Sequence, residues 1–179
     1  NCRQIIEIFR SPIDNVISLI NRKVFEKTDV KQDPRRFDFD ILYKKQSIPW
    51  HTYHYANRFI KANNAEKCAL FVINQTNKII TKRKIIAPYL NKKILIVKFE
   101  DLITNTKNEL KKISLFLNTT LTNTSKKFIK NANCPRTIDP STKSKNVSTL
   151  QKKIKNKIIL NDLLSLQEDY QKNLYKFKN

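Results

Sequence analysis

Ile5-Ile6-Glu7-Ile8-Phe9-Arg10-Ser11-Pro12-Ile13-Asp14-Asn15-Val16-Ile17-Ser18-Leu19-Ile20 is the stretch on which the fold turns. Its first residues form an apolar run with a β-branched bias, which reads as a strand buried on both faces. The run stops at Arg10. Ser11 then supplies an N-cap and Pro12 a favoured first helical residue. Ile13, Val16, Ile17 and Ile20 recur at helical spacing, so a helix is expected to about Lys23. Strand, tight turn and helix together open a βαβ unit.

Working outward, residues from about Glu26 to Pro49 read as polar and irregular, with a turn at Asp33-Pro34-Arg35-Arg36. Tyr55, Phe59, Ala62, Ala69, Ile73, Thr76, Ile80 and Arg83 mark helical steps that should end before Pro88. Ile94, Leu95, Ile96, Val97 and Phe99 make a second strand of the buried, parallel type, closed by Glu100-Asp101-Leu102. Leu110, Ile113, Leu115, Phe116 and Leu117 belong to a further amphipathic helix, followed by a Thr/Asn-rich turn at 118–125. Residues 131–147 shift to Pro, Ser, Thr and Lys and read as a loop or flap. A C-terminal helix is expected over 149–177. Two buried strands separated by helices argue for an α/β class in a single domain spanning 1–179.

The 179 residues hold 36 Lys+Arg against 15 Asp+Glu, a net charge of +21, and no glycine or methionine. A chain without Gly carries neither a Walker loop nor a dinucleotide fingerprint, because both need close backbone approach. With no Met, the chain is expected to be a processed product or a fragment. No apolar run approaches the roughly 20 residues of a membrane span, and no leader opens the chain, so a cytoplasmic location is expected. Such a charge ordinarily points to nucleic acid or membrane. Here Lys outnumbers Arg more than threefold, and Lys, Asn and Ile, the residues of A/T-rich codons, are abundant. Codon bias accounts for that pattern, and no specific nucleic-acid partner is expected. Cys2, Cys68 and Cys134 are widely spaced, and His51 and His54 lack a third ligand, so neither a disulfide framework nor a metal site is implied. Sequons begin at Asn74, Asn118, Asn123 and Asn146, as an Asn-rich chain produces by chance.

Arg10 falls at the carboxyl end of the first strand, where open α/β sheets bind ligands. A guanidinium fork beside the free amides of a helix start suits phosphate or sulfate. Ser18, eight residues on, lies off the apolar stripe, alongside Asp14 and Arg22. A plainer role is open too, with Arg10 a strand-end salt-bridge residue and Ser18 a solvated one.

Ile6 to Leu19 resembles the 3′-phosphate-binding strand and helix of sulfotransferases, in which an Arg-x-Pro-x-Asp turn is followed by Ser at this spacing. Ile94 to Leu102, then Leu110 and Phe116-Leu117-Asn118, is similar to the family's strand, Tyr-Glu-Asp-Leu and Phe-Leu-Gly stretch. Phe99 stands in place of Tyr and Asn118 in place of Gly. The resemblance spans about residues 4–118. It implies a P-loop-NTPase-like sulfotransferase fold with helices flanking a parallel sheet. It also implies sulfuryl transfer from 3′-phosphoadenosine 5′-phosphosulfate to a hydroxyl or amine acceptor, without a metal. Arg10 and Ser18 would bind the 3′-phosphate, while Arg136, Lys143 and Lys145 would close a basic segment over it. Glu100 and Asp101 read as structural caps, and Trp50, Tyr53 and Tyr55 as core or as stacking surface. The family's phosphosulfate loop and its acid/base residue lie upstream of the Arg-x-Pro-x-Asp turn, so the chain is expected to be the domain's carboxyl-terminal part. No catalytic residue is assigned, and binding without turnover is expected. The alternative is a basic helical nucleic-acid-binding module.

Overall fold

The computed structural model describes residues 4–26, 40–90 and 93–172. β1 (Ile5–Phe9) leads into α1 (Pro12–Asn21), capped by the Ser11 hydroxyl as its sequence requires. A hairpin follows, β2 (Asp40–Tyr43) and β3 (Gln46–Pro49), then a 3-10 turn (Trp50–Tyr55) and α2 (Ala56–Lys61). α3 (Asn64–Leu90) crosses back to β4 (Ile94–Lys98). Beyond it lie α4 (Phe99–Thr104), α5 (Thr106–Phe116), α6 (Asn123–Asn131), α7 (Pro140–Lys153) and α8 (Lys157–Gln171).

The fold is α/β and mostly helical, with a small parallel sheet. β1 and β4 pair in parallel, from Ile5 opposite Ile94 to Phe9 opposite Lys98. A parallel pair needs a long crossover, and α1 to α3 supply it. The core lies where α1, α3 and α8 cross: Val16, Ala69 and Leu163 are each 0% exposed. Leu70, Leu150 and Ile159 extend it, and Ile48 seals it from the hairpin. α3 is tied to the sheet by an ion pair from Arg83 to Glu7, with the guanidinium 4.6 Å over the Phe9 ring. No helix among the described residues is long and apolar enough to cross a membrane.

Four sequence expectations change. Residues 40–49 are a hairpin rather than irregular chain; its turn is Lys44-Lys45, both at positive φ (47° and 63°). That two-residue geometry normally announces itself by Asn-Gly, which this sequence lacks. α3 continues through Pro88 to Leu90, so the proline falls in the last turn of the helix rather than beyond its end. The 131–147 segment is loop only to Asp139, where that residue caps α7 by accepting from the Ser141 amide. The C-terminal helix is two helices. Ile154 leaves helical conformation (φ −92°, ψ 108°) and Asn156 restarts the chain by accepting from the Ile158 and Ile159 amides. The Asp33–Arg36 turn, and residues 173–177 of the expected last helix, lie outside the described residues.

Candidate functional site

The register of β1 and β4 brings their carboxyl ends side by side, so the residues that leave the two strands meet. The Arg10 guanidinium lies 5.2 Å over the Phe99 ring. α1 and α4 both begin here. The α1 amides, however, are already used. Ser11 N donates to Glu100 Oε1 (3.0 Å), Ile13 N to Gln167 Oε1 (3.2 Å) and Asp14 N to Ser11 Oγ (3.4 Å). Pro12 has no N–H to give. The expected phosphate seat on free helix-start amides is therefore closed by the protein's own Glu100 and Gln167. Glu100 thus bonds the start of α1 rather than capping the junction of β4 with its own helix α4, which has no side-chain cap. It also accepts from the Tyr170 hydroxyl; burial first, and then this carboxylate, hold that phenol well above its ordinary value, so it remains a donor.

The cleft lies farther along α1. It encloses about 370 Å³, within the range of small-molecule sites. Arg10, Asp14, Ile17, Ser18 and Arg22 form one wall; Phe99, Glu100 and Ile103 form its end; Ile138, Thr142, Lys143 and Asn146 face them. Asn146 Nδ2 donates across the cleft to Asp14 Oδ1 (2.7 Å), which fixes α7 against α1. Three cations thus line the cleft. Both carboxylates in it already receive protein hydrogen bonds, so their acceptor capacity is partly used.

Of the residues expected to bind the 3′-phosphate, Arg10, Ser18 and Lys143 line this one cleft. Arg136 does not. Its Nε and Nη2 donate back to the Ala132 carbonyl (3.1 and 2.6 Å), and its amide donates to Ile103 O (2.7 Å). It ties the 132–136 turn to α4. Lys145 is exposed and lies outside the lining, since helical periodicity turns it away from Lys143. Trp50 and Tyr53 are half exposed, Tyr55 is buried in the core, and none of the three lines the cleft. His51 and His54 belong to no group of three potential metal ligands among the described residues.

Arg22 and Asn146 are residues of the cleft to which the sequence reading gave no task. Arg22 follows Ser18 by one helical step of four, a signal present in the sequence. Asn146 was hidden because α7 was read as loop. A second cavity of about 230 Å³ between α1, α7 and α8 adjoins the cleft through Asp14 and Lys143. No protein-family model, no curated protein and no solved structure matches this chain.

Proposed function

We propose that this chain is a sulfotransferase polypeptide whose cleft between α1, α4 and α7 binds the 3′-phosphate of 3′-phosphoadenosine 5′-phosphosulfate. One observation carries the reading. Arg10 and Ser18 come from one stretch of sequence and Lys143 from another 125 residues away, and all three line a single cleft at the carboxyl end of the parallel strands. The fork of Arg10 stays open for a phosphate, because it stacks on Phe99 rather than pairing with a carboxylate.

In the reaction an acceptor oxygen or nitrogen bonds to sulfur as the bond from sulfur to the 5′-phosphate oxygen breaks. Adenosine 3′,5′-bisphosphate leaves, and the acceptor's proton passes to a base that no residue here is assigned to be. The cleft's part is positional. Anchoring the 3′-phosphate fixes the nucleotide so that the reacting end is presented in line.

Calorimetric titration tests the reading. Adenosine 3′,5′-bisphosphate is expected to bind at least tenfold more tightly than adenosine 5′-phosphate, and Arg10→Ala to remove most of that preference. Equal affinity for the two nucleotides would overturn it. Sequence-tolerant duplex binding with a steep salt slope, indifferent to Arg10→Ala, would favour the nucleic-acid module instead.

A further inference from the structure

We infer that Arg22 is a second guanidinium on the nucleotide's 3′-phosphate and shares with Arg10 the cleft's preference for that group; the inference rests on the reading above. Five arginines lie among the described residues, and their forks differ in occupation. Arg58 pairs with Asp162, Arg83 with Glu7, and Arg136 with the Ala132 carbonyl. The other two, Arg10 and Arg22, have no carboxylate partner among the described residues, and both line the same cleft.

The backbone explains how Arg22 reaches the ligand. Ser18 and Arg22 are four residues apart at the end of α1, and side chains at that spacing are neighbours on one helix face. Side chains on a helix lean toward its amino end. Arg22 does so, with Nε donating to the Ser18 carbonyl (3.3 Å). That bond anchors the side chain over Ser18 and leaves both Nη groups for a ligand. The Arg22 backbone is held separately, by its amide donating to Ser18 O (3.2 Å).

Charge points the same way. Arg10, Arg22 and Lys143 face Asp14 and Glu100 in the lining, a net charge of one cation. Loss of Arg22 therefore leaves the lining with no net charge to attract a phosphate dianion. The resulting site has two guanidinium forks, a hydroxyl and an ammonium, which suits a nucleoside 3′-phosphate and has little for a 3′-hydroxyl.

The experiment titrates adenosine 3′,5′-bisphosphate and adenosine 5′-phosphate into wild type, Arg22→Gln, Arg22→Lys and Arg10→Ala. Arg22→Gln should weaken the bisphosphate about tenfold or more while changing adenosine 5′-phosphate less than about twofold. Arg22→Lys, which keeps the charge but not the fork, should fall between Gln and wild type. Thermal unfolding of each variant checks that the fold is retained. If Arg22→Gln keeps the wild-type preference while Arg10→Ala loses it, the function reading stands and the role of Arg22 is overturned. Equal weakening of both nucleotides by Arg22→Gln also overturns it, since Arg22 would then support the cleft rather than read the 3′-phosphate. A wild type without preference overturns the function reading, and this inference with it.

Discussion

Glu66 shows how much one side chain decides. It is 7% exposed, yet its carboxylate is fully employed. Oε2 accepts from Asn63 N (2.9 Å) while Asn63 Oδ1 accepts from Glu66 N (3.0 Å), a reciprocal capping box at the start of α3. Oε1 meanwhile accepts from Lys155 N (3.0 Å) and Asn156 N (2.8 Å), at the junction of α7 and α8. The Asn63-Asn64-Ala65-Glu66 box is visible in the sequence; the second pair of bonds spans about ninety residues and is not. Glu66→Ala leaves three part-buried backbone amides without this acceptor, and about 2–3 kcal/mol of unfolding free energy should be lost in urea titrations. A loss under about 0.5 kcal/mol, the usual surface value, would show that water replaces the carboxylate. The candidate site divides in the same way. Arg10 and Ser18 are legible because strand end and helix face follow from local pattern. Arg136 lies away from the cleft: a basic residue in a loop says nothing about which way its side chain folds, and here it turns to an acceptor in its own turn.

Helix ends are where the glycine-free composition leaves its mark. α1, α5 and α6 each finish with a left-handed residue: Lys23 (φ 53°), Asn118 (φ 51°) and Asn133 (φ 50°). Each closes the same way, as at α5, where Asn118 N donates to Leu115 O (3.1 Å) and Thr119 N to Ser114 O (2.9 Å). Glycine is the usual occupant of that position, and asparagine the next best. At Asn118 the left-handed position is met by the residue that tolerates it next best to glycine. Lysine is the poorest of the three choices. Lys23→Gly is therefore expected to stabilise the protein by roughly 0.5–1 kcal/mol, partly offset by the freer unfolded chain. An unchanged or lowered midpoint in denaturant would contradict it. The hairpin turn at Lys44-Lys45 belongs with these ends. Where glycine is unavailable, turns lose their sequence signature, and residues 40–49 consequently read as irregular.

At the scale of the whole molecule, the protonation of buried groups links the fold to pH. Burial pushes the Cys68 thiol from its ordinary 9.0 up to about 12, with the Glu26 charge adding to it. Tyr55 and Tyr170 are likewise raised above 10.0 by burial. The unfolded chain releases these protons first, so the stability they contribute is intact below about pH 9 and is lost as pH rises toward 12. Loss of lysine charge acts oppositely over the same span, by relieving the self-repulsion of a chain at +21. Cys68→Val, close in volume, separates the two effects. Its thermal midpoint should gain on wild type as pH rises from 9 to 11, and a gap independent of pH would rule the thiol out.

Local pattern determined both parallel strands, α1 with its Ser11 cap, the long helical run before β4, and the α/β class. Each follows from side-chain periodicity and capping chemistry, which act over a few residues. Tertiary structure alone decided the shape of the cleft. Only the pairing of β1 with β4 and the Asn146–Asp14 contact bring Lys143 to Arg10, and only packing lets Glu100 and Gln167 close the helix start that looked open to an anion. Those contacts join residues about 90 to 155 positions apart. Hydrogen-bond capacity in a folded chain is used by whichever group arrives, and arrival is set by the packing of the core rather than by any local signal.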